Sequence, residues 1–227
     1  MGGGGFSQEP DNLRLDRYVL ASCGKSRPRV CFVPTASGDS ATYAEKFYKA
    51  FRTLDCEPSH LALFSPPLGS LRDYVLSKDV IYVGGGNTRN LMVLWRDWGL
   101  DSIFREALDK GIVLAGISAG ANCWFEECVT DSIPGELTAM KCLGFLPGSF
   151  CPHYDGEVQR RPSFHRMVAN NQIIPGIAAD DGCAIHYIDT VRHAVISSRP
   201  TARAFSLTRT NGGEVQESAL EAAILPV

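Results

Sequence analysis

The sequence lacks any apolar run close to the length that a membrane helix requires. Crossing a bilayer takes roughly 20 consecutive apolar residues, and the apolar runs of this 227-residue chain are much shorter. Its first residues, MGGGGFSQEPDN, show no basic stretch followed by an apolar one, which is the layout of a secretory signal peptide. We therefore expect a cytoplasmic protein with no membrane partner.

Long runs of basic residues are also missing. The chain has 22 Lys and Arg against 25 Asp and Glu, which gives a formal net charge of −3. A nucleic-acid-binding surface is normally basic, so this balance argues against a nucleic acid partner. With 44% hydrophobic residues, the composition is that of an ordinary globular protein. We predict one domain over residues 1–227.

The cysteines and histidines do not form a metal-binding pattern. No C-x-x-C pair occurs, and the five histidines are scattered along the chain. Most of the eight cysteines lie in apolar segments, where a reduced thiol behaves as a small core residue. They are Cys23, Cys31, Cys56, Cys123, Cys128, Cys142, Cys151 and Cys183. The sequence predicts free thiols and no metal site.

Strand-like and helix-like runs alternate through the first half of the chain. Residues 29–36 form a continuous apolar run, which is typical of a parallel strand buried on both faces. Tyr43, Phe47 and Phe51 then recur at helical spacing. The alternation predicts a three-layer α/β fold, a mostly parallel sheet with helices on both faces. Short strands with few helices between them in the second half predict added antiparallel strands.

A lone serine stands among glycine and alanine in GISAG, residues 116–120. A strand that turns sharply into a helix strains its turn residue, and only small neighbours tolerate such a turn. The turn would expose Ser118 Oγ at the sheet edge and leave the Ala119 N–H free for an oxyanion. Alternatively, Ser118 only caps a helix, as serine often does.

A second glycine-rich turn, VGGGNT, follows the preceding strand candidate at residues 83–88. Its backbone N–H groups are unmasked, and Gly86 would suit the other half of an oxyanion hole. Glycine-rich turns before helices also bind phosphate. This turn lacks the Lys and Ser/Thr of a P-loop and does not match G-x-G-x-x-G, so a nucleotide is the weaker interpretation.

A serine nucleophile needs a base, and His153 is the best histidine for that role. It follows an apolar strand-like run in FCPHYDGE, at a plausible strand end. The histidine in turn needs a carboxylate to fix its tautomer. Asp131 is the first candidate, because it lies just past the helix that Ser118 would begin. Other carboxylates near the key residues in sequence are Glu126, Glu136 and Asp155.

Four motifs in this order, VGGGNT, GISAGAN, TDS and PHYDGE, resemble those of the peptidase E family, the aspartyl dipeptidases, to which cyanophycinase is related. The resemblance runs from about residue 29 to residue 181. It implies a fold like that of class I glutamine amidotransferases, of flavodoxin-like type, with serine in place of their cysteine nucleophile. It also implies a Ser-His-acid triad and no cofactor.

Carried onto this chain, the resemblance makes Ser118 the nucleophile, His153 the base, and Gly86 and Ala119 the oxyanion donors. The family aspartate stands before a proline in a T-x-D-x-P context, whereas this chain reads TDSIP, residues 130–134. Asp131 is displaced by one residue from that pattern.

Cyanophycinase-like relatives use glutamate as the acid, which makes Glu136 the alternative to Asp131. The segment GEVQRRP, residues 156–162, resembles the one that supplies an arginine to the aspartyl carboxylate of the substrate. Either Arg160 or Arg161 would fill that role, since a guanidinium can bond both carboxylate oxygens. The alternative for each is a solvated arginine at a helix start.

We expect a serine peptidase that cleaves short peptides, by preference dipeptides with an amino-terminal aspartate. Alternatives are hydrolysis of a β-aspartyl or cyanophycin-like peptide, a carboxypeptidase or broader dipeptidase, and a noncatalytic small-molecule binding domain. The sequence leaves the oligomeric state open, with a homodimer as one outcome. The run Gly2–Gly5 is unexplained: either a strand precedes it outside this sequence, or it is a loose end.

Overall fold

A computed structural model describes residues 1–66, 69–210 and 212–226 of the chain. Its helices are α1 (Gly5–Gln8), α2 (Arg14–Ala21), α3 (Ala41–Phe51), α4 (Leu71–Leu76), α5 (Thr88–Asp97), α6 (Leu100–Asp109), α7 (Ala119–Asn122) and α8 (Arg160–Ala169). Its strands are β1 (Arg29–Val33), β2 (Glu57–His60), β3 (Val80–Val83), β4 (Val113–Gly116), β5 (Phe125–Thr130), β6 (Thr138–Lys141), β7 (Leu146–Cys151), β8 (Gly176–Ala179), β9 (Cys183–Ile188), β10 (Val191–Ser197), β11 (Ala204–Arg209), β12 (Val215–Leu220) and β13 (Ala223–Ile224). None of these helices is both long and apolar enough to span a membrane.

The strands form three sheets. The first half contributes a parallel sheet in the order β2-β1-β3-β4. The second half contributes a six-stranded sheet, β12-β11-β8-β7-β5-β6, and a three-stranded sheet, β13-β10-β9. β7 pairs in parallel with β5 and β8, whereas β11 pairs antiparallel with β8 and β12. The predicted α/β class is confirmed, with the strands divided among separate sheets.

The parallel sheet is covered by helices on both faces. Successive side chains of a strand point to opposite faces, and those of β3 divide between two apolar clusters accordingly. Ile81 packs in one cluster with Trp95 of α5 and Phe104 of α6. Its neighbour Tyr82 packs in the other with Phe47 of α3. Because both faces are buried, β1 beyond Arg29 and the whole of β3 are apolar, as the sequence predicted, whereas the edge strand β2 reads EPSH.

The glycine-rich first residues are packed between strands. β4 and β9 both line a groove of about 370 Å³, and Met1 is one of its lining residues. The Met1 amino nitrogen donates to Gly116 O at 3.0 Å, and Gly2 N donates to Cys183 O at 3.0 Å. Gly3 forms a parallel bridge with Asp181. These residues are therefore an ordered part of the fold, so the interpretation as a loose end is wrong.

One carboxylate is buried beneath this glycine run. Asp16 of α2 is fully buried, and its Oδ1 accepts a hydrogen bond from the Tyr82 hydroxyl at 2.8 Å. Burial raises the pKa of Asp16 to about 6, because the charged form loses its hydration. The folded protein therefore favours the protonated form of Asp16 more strongly than the unfolded chain does.

We predict that Asp16→Asn makes the stability of the protein less dependent on pH. A carboxyl group with a raised pKa contributes most stability below pH 4, and the contribution is lost as the pH rises through about 6. The amide does not ionise, so the unfolding free energy of the variant relative to the parent should rise by roughly 2–3 kcal/mol between pH 4 and pH 8. Urea unfolding at both pH values measures this difference. Asp55→Asn, at an exposed position, is the control, and equal curves for both variants would contradict the prediction.

Candidate active site

The serine of GISAG lies at a sharp turn between a strand and a helix. β4 ends at Gly116 and α7 begins at Ala119, and Ser118 has φ 55° and ψ −114°. A residue other than glycine rarely adopts a positive φ, and holding it there costs on the order of 1–3 kcal/mol. The strained turn expected at Ser118 is present.

Two glycines let this turn pack closely against its neighbours. A Cβ atom on Gly120 would overlap the carbonyl oxygen of Val83 at the end of β3. A Cβ atom on Gly116 would overlap the carbonyl oxygen of Gly120. Both obstacles are main-chain atoms, which have less freedom to move aside than the end of a side chain has. The turn that presents Ser118 therefore requires glycine at positions 116 and 120.

His153 follows β7 and reaches the serine. Its Nε2 atom lies 2.8 Å from Ser118 Oγ, although 35 positions separate the two residues in the chain. When the neutral imidazole carries its proton on Nδ1, Nε2 can accept the hydrogen bond of the serine hydroxyl. This is the contact that general-base activation of a serine requires.

The other ring nitrogen of His153 has a carboxylate partner. His153 Nδ1 lies 2.6 Å from Asp181 Oδ1, and Asp181 follows β8, the parallel neighbour of β7. An ionised carboxylate can only accept, so Nδ1 must donate and Nε2 is left free to accept from Ser118. The three side chains form a continuous hydrogen-bonded chain, Ser118–His153–Asp181, at the ends of β4, β7 and β8.

The structure corrects the prediction of Asp131, and of its alternative Glu136, as the partner of His153. Asp131 lies 3.7 Å from Arg160, and Glu136 lies 3.3 Å from Arg166; their side chains are 69% and 84% exposed. Nδ1 carries a single hydrogen, and Asp181 accepts it. Of the other candidates near in sequence, Glu126 accepts a hydrogen bond from Gly148 N, and Asp155 accepts one from Asp181 N.

A signal for Asp181 was present in the sequence. The segment GIAADDG, residues 176–182, is a short apolar strand that ends in two acidic residues and a glycine. The criterion that selected His153, a polar residue directly after a buried strand, applies equally to Asp181. Restricting the search to carboxylates near Ser118 and His153 in sequence excluded it.

The two predicted oxyanion donors have free N–H groups. The glycine turn contacts the serine, since a Cβ atom on Gly85 would lie 3.4 Å from Ser118 Cβ. Gly85 N donates to the Tyr43 hydroxyl at 3.2 Å. Within residues 1–66, 69–210 and 212–226, by contrast, the N–H groups of Gly86 and Ala119 have no hydrogen-bond acceptor. Both are therefore available to a ligand oxygen.

The segment TDS supports the glycine turn. Ser132 Oγ accepts a hydrogen bond from Thr88 N at 2.7 Å, and Asn87 Nδ2 donates to Ser132 O at 3.2 Å. Thr130 Oγ1 lies 2.8 Å from Ser132 Oγ and accepts from Ser132 N. These bonds fix the first turn of α5, which follows directly on Gly86. The TDS motif thus holds the proposed oxyanion turn.

Both candidate specificity arginines already have partners. Arg160 is buried, donates to Val129 O at 3.0 Å, and pairs with Glu157 at 2.6 Å. Arg161 pairs with Glu217, and its guanidinium lies over the Tyr154 ring. Either residue would have to exchange an existing partner in order to bind a substrate carboxylate.

Burial disfavours the thiolate form at several of the cysteines. All eight cysteines are free. Burial raises the pKa of Cys31, Cys151 and Cys183 to about 12 in each case, so these three are protonated at neutral pH. In the described part of the chain, no group of three or more His, Cys, Asp or Glu side chains is arranged to hold a metal ion.

Comparison with known proteins gives consistent results. A family model described as Peptidase family S51 matches residues 1–195. The chain is 61% identical over 205 residues to "Uncharacterized peptidase YgaJ" of Bacillus subtilis (strain 168), covering 90% of this chain and 89% of that protein. It is 32% identical over 114 residues to "Peptidase E" of Shewanella amazonensis, covering 49% of this chain and 47% of that protein. The crystal structure of a peptidase from an acI-B1 Actinobacterium superposes with a TM-score of 0.71, over 98% of this chain and 92% of that one; at 17% identity, this likeness concerns the fold.

We predict that Asp181, rather than Asp131, supports the reactivity of Ser118. Asp181→Asn should slow phosphonylation of Ser118 by a fluorophosphonate by at least about 100-fold, because the amide can donate to Nδ1 and favours the wrong tautomer of His153. The second-order rate constant of inactivation measures this effect. Asp131→Asn is the matched control and should react at nearly the parental rate. The reverse ranking would restore Asp131 as the acid.

Proposed function

The chain belongs to peptidase family S51, and we propose that it is a serine peptidase that hydrolyses short peptides. The observation that carries this proposal is the pair of consecutive contacts, 2.8 Å from Ser118 Oγ to His153 Nε2 and 2.6 Å from His153 Nδ1 to Asp181 Oδ1. A serine, an imidazole and a carboxylate connected in this way have the roles of nucleophile, base and orienting acid in unrelated hydrolase folds.

In the proposed first step, Ser118 Oγ attacks the carbonyl carbon of the scissile peptide bond. His153 Nε2 takes the hydroxyl proton, and the Asp181 carboxylate stabilises the imidazolium that forms. The carbonyl oxygen becomes an oxyanion, which in this proposal accepts hydrogen bonds from the N–H groups of Gly86 and Ala119. A preorganised donor of this kind typically lowers the barrier by about 3–4 kcal/mol.

The second half of the reaction releases both products. The imidazolium of His153 gives its proton to the leaving amine as the C–N bond breaks, which leaves an ester on Ser118 Oγ. Water then attacks the ester carbonyl while His153 again acts as base. The tetrahedral intermediate collapses, the new carboxylic acid departs, and Ser118 recovers its proton.

For specificity, we propose dipeptides with an amino-terminal aspartate as the first substrate class to test. This proposal rests on the resemblance to aspartyl dipeptidases. Its weakest element is the arginine, because Arg160 and Arg161 are paired with Glu157 and Glu217. Binding of an aspartyl carboxylate by Arg161 would require release of Glu217, which is the easier exchange because Arg161 is half exposed.

A second candidate substrate is favoured by the carboxylates close to the histidine. Asp155 and Glu157, two and four residues after His153, have side chains that are 44% and 46% exposed. Glu157 pairs with Arg160 and Asp155 with Arg199, so a cationic group on the substrate would have to exchange with one of these arginines in order to pair with a carboxylate here. A cyanophycin-like peptide, in which arginine is attached to an aspartyl carboxylate, carries such a cationic group.

We predict that Ser118→Ala abolishes hydrolysis of every peptide that the parent protein cleaves, because the nucleophile is lost. Hydrolysis of α-linked Asp-Leu, of β-linked β-Asp-Arg and of Ala-Leu as the dipeptide without aspartate should be followed by release of free amino groups. Cleavage of Asp-Leu well above Ala-Leu supports the aspartyl preference, and cleavage of β-Asp-Arg alone supports the second candidate.

Equal hydrolysis by Ser118→Ala and the parent would exclude the serine mechanism. Labelling by a fluorophosphonate gives an independent readout that does not depend on the choice of peptide. A parent protein that neither hydrolyses the panel nor reacts with the reagent is a binding domain rather than a peptidase.

A further inference from the structure

The Asp181 carboxylate lies between two main-chain positions that carry no side chain. A Cβ atom on Gly3 would overlap Asp181 Oδ1, and a Cβ atom on Gly156 would lie 2.5 Å from Asp181 Oδ2. We propose that Gly3 and Gly156 are positioning residues, which act by leaving the space that Asp181 needs to reach His153. This inference rests on the proposed function, in which Asp181 is the acid of the triad.

The main chain at Gly3 is held from several directions. Gly182 N donates to Gly3 O at 3.1 Å, and the adjacent Gly4 N donates to Gln8 Oε1 at 2.6 Å. On the other side, Ser118 N donates to Met1 O at 3.1 Å. The first residues thus connect the turn of the nucleophile to the loop of the acid, and Gly3 has little freedom to withdraw from Asp181.

The main chain at Asp181 is held as well. Its N–H donates to Asp155 Oδ1 at 2.8 Å, and its carbonyl oxygen accepts from Arg199 Nη2. Near Gly156, Glu157 N donates to His153 O at 3.0 Å, which closes the turn that contains the glycine. With the main chains of Gly3, Gly156 and Asp181 all fixed, the mobile element of the contact is the Asp181 side chain.

Glycine is needed at these two positions for space and not for backbone conformation. Neither Gly3 nor Gly156 has a positive φ, so alanine can adopt the conformation that each one has. The atoms that a new methyl group would meet are the ends of side chains: the Asp181 carboxylate at both positions and, at Gly3, also Gln8 Oε1. An added Cβ should therefore displace the carboxylate and leave the main chain in place.

Displacement of this carboxylate has a specific consequence. The 2.6 Å contact with His153 Nδ1 would be lost, and with it the group that orients the imidazole and stabilises its protonated form. In the proposed mechanism neither glycine contacts the scissile bond. The expected defect is a lower kcat with a nearly unchanged KM, which is typical of a lost transition-state interaction where KM reports binding.

The test compares Gly3→Ala and Gly156→Ala with Gly24→Ala. Gly24 is exposed and has φ 68°, and a Cβ atom on it would meet nothing within 4 Å, so this control strains the main chain without touching the Asp181 side chain. We expect kcat to fall by at least about 100-fold in the first two variants, since mispositioning of a triad acid costs up to roughly 10⁴-fold. We expect Gly24→Ala to lower the midpoint temperature of unfolding, with kcat per folded molecule retained.

A double-variant series separates positioning from general damage. Because Gly3 is proposed to act only through Asp181, Gly3→Ala should cause no further loss of kcat in an Asp181→Asn background. An additional loss there, or parental kcat in both single alanine variants, would overturn the proposal. If Gly3→Ala fails to fold, Gly156→Ala is tested in the same background.

A spectroscopic measurement keeps this inference separate from the proposed function. In protein labelled with nitrogen-15, the His153 Nδ1 proton bonded to Asp181 should give a downfield resonance in the parent and in Ser118→Ala. The resonance should be retained in Gly24→Ala and lost in Gly3→Ala and Gly156→Ala. Its persistence in the last two would refute the positioning role. If no peptide is hydrolysed, the proposed function fails, and the resonance still decides whether the glycines position Asp181.

Discussion

The contact between Ser118 Oγ and His153 Nε2, 2.8 Å long, depends on a backbone conformation that is unfavourable by itself. Ser118 has a positive φ, and this conformation persists only because the parallel sheet and the glycines at 116 and 120 fix the chain on both sides. The main-chain N–H of Ser118 also donates to Met1 O. The position of the serine hydroxyl is therefore set by tertiary packing, and it depends on the integrity of the sheet beneath it.

The aromatic core couples the fold to the same site. Phe6 follows the glycine run directly, and its ring lies 5.5–5.6 Å from those of Phe32, Phe47 and Tyr82. Aromatic contacts of this kind bury a large apolar area with defined geometry. Phe6 thus fixes the position of the segment that begins at Gly3. The space that Gly3 leaves for Asp181 therefore depends on the packing of α3 on the sheet.

Local patterns in the sequence were sufficient to predict two residues of the site, Ser118 and His153. The turn at Ser118 and the strand end at His153 are each encoded by neighbouring residues, and the structure places both as expected. The sequence analysis did not identify Asp181 as the carboxylate partner of His153, because its position depends on the order of the strands. Asp181 reaches His153 through the pairing of β8 with β7, Ser149 opposite Gly176, and no periodicity within either strand encodes that neighbour. A carboxylate 28 positions from His153 in the sequence can therefore contact it as readily as a carboxylate that is close in the sequence.

The first glycines also show what a local sequence pattern cannot predict. A glycine with positive φ, such as Gly4, meets a need of its own backbone, and a sequence pattern can suggest it. Gly3 meets a need of another residue, because its missing side chain makes room for a carboxylate that comes from a loop 178 positions later. Nothing in MGGGGF distinguishes these two reasons, since both are satisfied by the same residue. The two reasons can be told apart only when the position of Asp181 is known. Substitution of Gly4 would then strain the backbone, whereas substitution of Gly3 would displace the Asp181 carboxylate.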